Sequence, residues 1–219
     1  MLSIHPFEPY IPEGAIALII GTMPPYRFCQ KVPQKNDPPE VYIPPILENG
    51  KVDEKGDIYF YYGSRDNSFW ELLSEVTHRT LDTEKRCKDF LKEFNIGILD
   101  ILESCRHKDE KSDDNSLEDR EYQPLSKLLI KYPNINTLIY TSKKAGIWTR
   151  EKHNTKYNKD LRKDQIFING KVYEEIYLYS PSSLALKGLS KGGIDGKEKR
   201  LKQYTEVFEK LMKKGEASK

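Results

Sequence analysis

Four short apolar runs punctuate the chain, each followed by room for a helix. Residues 15–21 (AIALIIG), 96–102 (IGILDIL), 136–140 (NTLIY) and 175–179 (EIYLY) carry few polar interruptions. Such runs suit strands buried on both faces of a parallel sheet. Between them the apolar spacing changes to that of a helix. Phe69, Trp70, Leu72 and Leu73 predict a helix over 67–78, and TEKRCKDFLKEF a second over 82–94, capped by Asp82 or Thr83. Pro124 opens a third over 124–132, and a Lys-rich helix starts after Ser142. Leu201, Tyr204, Val207, Phe208 and Leu211 form one stripe of a basic amphipathic helix over 196–214. Strand–helix alternation predicts an α/β fold, a three-layer α/β/α arrangement around a four-stranded parallel sheet. The whole chain, 1–219, is expected to be one unit.

Three stretches break the alternation. Residues 26–58 are rich in proline and include the turn pair Asn49-Gly50, which predicts an excursion with one hairpin. Residues 165–174 (QIFINGKVYE) predict a hairpin about Asn169-Gly170. Residues 103–121 are acidic and rich in Ser, Asp and Asn, and are expected to form a surface loop away from the basic face.

Composition adds the surface. With 37% hydrophobic and 32% charged residues, the chain can bury a core and must expose a heavily charged exterior. The net charge of +2 is unevenly spread: residues 142–163 carry eight Lys/Arg against two acids, and 187–219 ten against five. Such segments suit a polyanion-binding face, or simply a solvated surface. Cys29, Cys87 and Cys105 form no CxxC pair, and no Cys/His cluster has metal-ligand spacing, so no metal or cofactor is expected. The odd cysteine count points to a reducing, cytoplasmic setting. The run at 15–20 is too short to span a membrane.

Ligands of open α/β sheets bind beyond the carboxyl ends of the strands. That rule selects Gly21–Pro25, Asp100–Ser104, Thr141–Lys143 and Ser180–Leu184. Asn67 stands where a helix N-cap would stand; its amide either satisfies a free backbone donor or points into a cleft. Phe69 is either core or an aromatic face for a ligand. Asp100 either anchors a loop or accepts from a ligand. His5, His78, His107 and His153 have no nucleophile or metal partner in sequence and are given structural or surface roles.

The order of these segments resembles the uracil-DNA glycosylase superfamily, nearest its mismatch-specific and hypoxanthine-DNA glycosylase branches. Gly21-Thr22-Met23-Pro24-Pro25 resembles the first glycosylase motif. Tyr61-Tyr62 through Asn67-Ser68-Phe69-Trp70 resembles the Tyr-Tyr…Asn-x-Phe-Trp signature of the hypoxanthine branch. Ile96-Gly97-Ile98-Leu99-Asp100 with Ser104-Cys105-Arg106 resembles that branch's strand and loop, and Ser180-Pro181-Ser182-Ser183-Leu184 the second motif.

The resemblance implies a monofunctional DNA glycosylase that removes uracil or hypoxanthine from DNA, acting as a monomer without a cofactor. Asn67, Ser180 and Ser182 would be catalytic. Gly21, Thr22, Met23, Phe69, Asp100 and Thr141 would bind the base, with Phe69 stacking on it. Ser183, Leu184 and Lys187 would contact DNA. Two positions depart from much of the superfamily: Met23 replaces a water-handling Asp or Asn, and Ser180 replaces a His or apolar residue. These departures keep open a nucleic-acid-binding protein without cleavage. A nucleoside or nucleotide N-glycosidic hydrolase using the same crevice also stays open.

Overall fold

The computed structural model describes residues 1–32, 56–153, 162, 164–189 and 195–217, the side chains at 184, 187, 216 and 217 lying outside that description. The expected Asn49-Gly50 hairpin lies outside the described residues. The strands are β1 (Leu2–Ile4), β2 (Ala17–Gly21), β3 (Gln30–Val32), β4 (Ile96–Asp100), β5 (Leu102–His107), β6 (Leu117–Tyr122), β7 (Thr137–Tyr140), β8 (Gln165–Ile168) and β9 (Lys171–Tyr177). The helices are α1 (Phe69–Thr77), α2 (Glu84–Glu93), α3 (Leu125–Lys131), α4 (Lys143–Lys152), α5 (Ser183–Leu189) and α6 (Gly196–Ala217).

Among the described residues, the chain forms two sheets. The larger has the order β4-β2-β7-β9-β8, in which β4, β2, β7 and β9 run parallel. The expectation of a four-stranded, wholly parallel sheet is corrected here: β8 joins the edge antiparallel. Asn169 and Gly170 both take positive φ (52° and 80°), which reverses the chain in two residues. The hairpin therefore continues directly into β9, which starts at Lys171 rather than Glu175.

The second sheet, β3-β1-β5-β6, is antiparallel and was not expected. It corrects the reading of 103–121 as a surface loop. β5 buries Leu102, Ser104, Cys105 and His107 and exposes Glu103 and Arg106, and Arg106 meets Glu118 and Asp119 of β6 at 3.1 and 2.8 Å. The charges that suggested a loop decorate the solvent face of a ribbon.

Alternate residues of the parallel strands serve two cores. Ala17, Ile19, Ile96, Ile98 and Ile139 pack beneath α1, α2 and α6. Leu18, Ile20, Leu99, Leu138 and Tyr140 pack on the other side with Leu125 and Leu129 of α3 and Ala145 and Trp148 of α4. Caps fix where the helices begin: Thr83 accepts from the Arg86 N–H and Ser142 from the Ala145 N–H. Helix α6 seats Tyr204, Phe208 and Leu211 in the first core. No helix among the described residues is long and apolar enough to cross a membrane.

Phe208 is fully buried, with its ring 6.2 Å from Phe69 and 5.9 Å from Tyr204. Phe208→Ala should cost about 3–5 kcal/mol through lost burial and the cavity left behind. Urea unfolding should show it as a lower midpoint at unchanged slope. A cost below about 1 kcal/mol would mean that α6 is not part of this core.

Candidate functional site

A cleft of about 720 Å³ opens at the carboxyl rim of the parallel strands. Its wall takes Thr22 and Met23 from beyond β2, Asp100 from β4, Thr141 and Ser142 from beyond β7, and Ser180–Ser183 from beyond β9. Tyr62, Asp66 and Asn67 close another side. The segments selected by topology therefore do converge.

Two distant segments make the wall by joining. Asn67 and Ser182 form an isolated antiparallel bridge. The Ser68 N–H donates to the Pro181 carbonyl (3.0 Å), and the Ser183 N–H to that of Asp66 (3.0 Å). Ser68 Oγ adds a bond to the same Pro181 carbonyl (3.0 Å). Beneath them Arg200, 2% exposed, donates to the Ser182 carbonyl at 2.6 Å and to Ser68 Oγ at 3.4 Å. Burial lowers the pKa of this guanidinium.

Asn67 lines the cleft and also serves its helix. Its Oδ1 accepts from the Phe69 N–H at 3.0 Å, which fixes the amide. Ser180 and Ser182 bond to each other through their hydroxyls (3.2 Å), and Ser182 Oγ accepts from the Ala185 N–H at 3.3 Å. Ser183 is exposed on the wall. The side chains of Leu184 and Lys187 lie outside the described residues.

Phe69 is not on the wall. Its ring is fully buried among Trp70, Tyr204 and Phe208. Tyr62 lies against it, the ring centroids 4.6 Å apart at 32°, and it is Tyr62 that lines the cleft, with Phe28. Tyr62 holds φ = 57°, a left-handed conformation uncommon for a bulky residue. Its hydroxyl shares a hydrogen bond with Thr141 Oγ1 at 3.1 Å. Burial, reinforced by the charge of Asp100, pushes its phenol well above the usual range. The Tyr-Tyr pair was visible in sequence, but not the backbone conformation that places the second ring.

Gly21 does not line the cleft either. A Cβ there would overlap Asp100 Oδ1 and the Tyr62 hydroxyl, so glycine makes room for two groups that do. Asp100 Oδ2 accepts from His5 Nε2 at 3.0 Å, and His5 Nδ1 stands 3.1 Å from the Phe7 amide nitrogen. His5 is thus partner to a cleft carboxylate rather than a surface residue.

The acidic segment lies at the cleft, not away from it. Ser112, Asp113, Asp114 and Asn115 line the mouth. Ser112 Oγ accepts from the Tyr26 N–H at 3.0 Å, which ties this turn to the Pro24-Pro25 turn. Burial, helped by Asp100, raises the Asp114 carboxyl above the ordinary range, against a hydrogen bond from Thr22 and the charge of Lys144. Only the Asp/Asn-rich composition of this turn hinted at a role.

Arg27 holds the Tyr62 segment in place. Its guanidinium forms two bonds to Asp57 (2.8 and 3.2 Å), one to Ser64 Oγ (2.8 Å) and one to Asp66 (3.2 Å). Asp57, 1% exposed, also accepts from the Arg65 N–H at 2.7 Å.

No protein-family model matches the chain. It is 30% identical over 115 residues to a hypoxanthine DNA glycosylase of Methanosarcina barkeri, covering 48% of this chain and 72% of that protein. The chain belongs to the uracil-DNA glycosylase superfamily. A solution structure from Methanosarcina acetivorans, provisionally named a uracil DNA glycosylase, shares this superfamily's fold with it. That likeness has a TM-score of 0.56 at 17% identity, over 95% of this chain and 99% of the other.

Asp57 braces the cleft-lining Arg27 as a carboxylate. Burial opposes ionisation, but the hydrogen bonds from Arg27 and the Arg65 N–H outweigh it and hold the carboxyl below its usual value. A depressed carboxylate stabilises the fold above the unfolded-state value, near 3.8, and loses that contribution as pH falls through the folded value. Asp57→Asn should therefore lower stability at pH 7 by about 2–3 kcal/mol. The deficit should shrink when thermal unfolding is measured below about pH 3. An equal deficit at both pH values would locate the role in shape rather than charge.

Proposed function

We propose that the protein is a monofunctional DNA glycosylase that hydrolyses the bond between deoxyribose and a deaminated base, uracil or hypoxanthine. The observation that carries this reading is the cleft at the strand ends, where Asn67, Tyr62, Asp100 and Asp114 meet. Its volume is in the range of small-ligand sites. A base inside a duplex must be swung out to reach such a cleft.

In this reading Tyr62 supplies the aromatic face assigned by resemblance to Phe69, while Phe69 backs it. The Asn67 amide is held in one orientation by its own helix. Its Oδ1 keeps a second lone pair for a water, and its Nδ2 has two hydrogens for a substrate oxygen. Asp100, steadied by His5, accepts a ring N–H, a group that hypoxanthine and uracil both carry. Thr22, Met23 and Thr141 enclose the base. In the reaction, the water oxygen bonds to C1′ and a water proton departs to solvent. The C1′–N bond breaks toward the base. Asp114 in its protonated form returns a proton to the leaving base. Ser180 and Ser182 shape the wall. Ser183, at the start of α5, contacts the DNA backbone in this reading.

One observation favours a second reading. Asp66, Asp100, Asp113 and Asp114 line the cleft against Arg27 and Lys144. Such a mouth suits an uncharged nucleoside better than a polyanion. Turnover of free deoxyinosine or deoxyuridine without release from DNA would establish it.

Release of free base from duplexes carrying uracil or hypoxanthine tests the main reading. Asn67→Ala should lower the rate by about a hundredfold or more, the scale of losing one positioned polar group in an active site. Asn67→Ser keeps a helix-capping oxygen and should be as slow, which separates chemistry from capping. No release above the Asn67→Ala background from either duplex or single strands would end the proposal.

The raised Asp114 carboxyl gives a pH test. The rate of release should fall as pH rises through its folded value, above 3.8, and Asp114→Asn should abolish that limb. A raised carboxyl stabilises the fold only while protonated, so its contribution is complete below 3.8 and lost above the folded value. Asp114→Asn should therefore not lower the melting temperature at pH 7. A rate independent of pH in the wild type would remove Asp114 from the mechanism.

A further inference from the structure

The carboxyl rim carries a second surface beside the cleft. Tyr177 and Tyr179 are 36% and 42% exposed, although they flank Leu178, which is 4% exposed and packed in the first core. Alternation along an extended strand puts the two tyrosines on the face opposite Leu178, about 7 Å apart. Helix α4 borders Tyr177. Gly146 has no side chain where the Tyr177 ring lies, and a Cβ there would overlap that ring. Ile147, 48% exposed, and Lys143 stand one helical turn apart on the outer face of α4.

This surface is held still from behind. Gln203 of α6 accepts from the Tyr179 N–H at 2.6 Å and donates to the Tyr177 carbonyl at 3.1 Å. The Tyr204 hydroxyl donates to the Tyr179 carbonyl at 3.2 Å. The backbone is pinned to the core, and the Tyr177 ring is itself held by Tyr140, centroids 4.9 Å apart, and by Gly146, while both tyrosines keep part of their surface exposed; this lowers the entropy lost when something settles on them.

Both edges of the surface run into the cleft wall. Tyr179 is followed by Ser180, and Lys143 lies between Ser142 and Lys144; all three of those neighbours line the cleft. Helix α4 contributes Lys143, Lys144, Arg150 and Lys152 against Glu151 alone. An aromatic pair beside net positive charge matches the two parts of a single strand, base faces and phosphates. A duplex hides its base faces in the stack and shows only edges.

We propose that Tyr177 and Tyr179, flanked by Ile147 and Lys143, form a stacking surface for unpaired bases of the strand that enters the cleft. The surface extends the glycosylase reading and rests on it for the identity of that strand. It makes single-stranded or locally opened DNA the preferred substrate class.

The test is binding of the full chain to a labelled, undamaged oligothymidine and to a duplex of equal length, read by fluorescence anisotropy. Tyr179→Ala should weaken binding to the single strand about tenfold and to the duplex by less than about twofold. Tyr179→Phe should retain single-strand affinity, since the ring does the stacking. Lys143→Glu should weaken both and reduce the salt dependence. Unchanged single-strand affinity in Tyr179→Ala, or an equal loss in Tyr179→Phe, would overturn the proposal. So would a Tyr179→Ala that only dissociates a dimer in sedimentation, which would assign the surface to a second copy of the chain. No base is released from this probe, so its result stands apart from the glycosylase assay: loss of base release alone leaves the surface in place, and loss of stacking alone leaves the enzyme.

Discussion

Everything at the cleft depends on one join. The start of α1 and the loop after β9, 113 positions apart at the Ser68–Pro181 bond, are held as a two-stranded ribbon only a few residues long. So short a ribbon is marginal by itself in water. Here it rests on Arg200, a buried guanidinium whose hydrogen bonds go to the Ser182 carbonyl and Ser68 Oγ, while its Nε has no hydrogen-bond partner. Burying such a group is costly unless its hydrogens are used. That cost is tolerable because α6 is anchored by Tyr204 and Phe208 immediately downstream. The C-terminal helix is thus not an appendage: its apolar stripe docks in the core, and its one buried cation fixes the wall that carries Asn67 and Ser182.

The aromatic side of the cleft follows the same logic of support from behind. Phe69 was the obvious stacking candidate because it sits in the Asn-x-Phe-Trp segment. Helical geometry sends it inward, where it meets α6. The Tyr62 ring then lies on Phe69 as on a floor, and its left-handed backbone is held by the Arg27–Asp57 pair on one side and Thr141 on the other. Strained backbone persists where its surroundings over-determine it. Gly21 completes the arrangement by leaving room for the Tyr62 hydroxyl and the Asp100 carboxylate over the end of β2.

The parallel strands were legible because their apolar runs serve two cores and carry few charges, among them Asp100 and Glu175. The cap at Thr83, one of two candidates with Asp82, and the Asn169-Gly170 reversal were legible because each solves a local backbone problem. The antiparallel sheet was not. β1 and β3 are three residues each, and β5 and β6 carry charges on their outer face, so neither period stood out. The convergence of four strand ends on a cleft could be inferred from topology. The roles of His5, Asp114 and Arg200 could not, because each depends on a partner a hundred residues or so away, or on a turn whose position only the second sheet sets.

That second sheet also explains how an acidic turn comes to border the cleft. The β5–β6 ribbon carries residues 112–115 to the mouth, adding Asp113 and Asp114 to Asp66 and Asp100. Two of the four carboxylates have polar partners. Arg27, whose closer partner is Asp57, also reaches Asp66, and His5 donates to Asp100. Asp114 resists ionisation through burial and the nearness of Asp100, and Lys144 stands close by. The field in the cleft is therefore weaker than four bare carboxylates would give. Phosphates need not enter it, since only the base and its sugar are drawn inside when a nucleotide is swung out. In the proposed reading the backbone stays outside the cleft, near Ser183 and the lysines of α4. In the proposed reading, carboxylates lining the cleft beside the lysines of α4 would accept a neutral base bearing N–H donors and leave the phosphate outside.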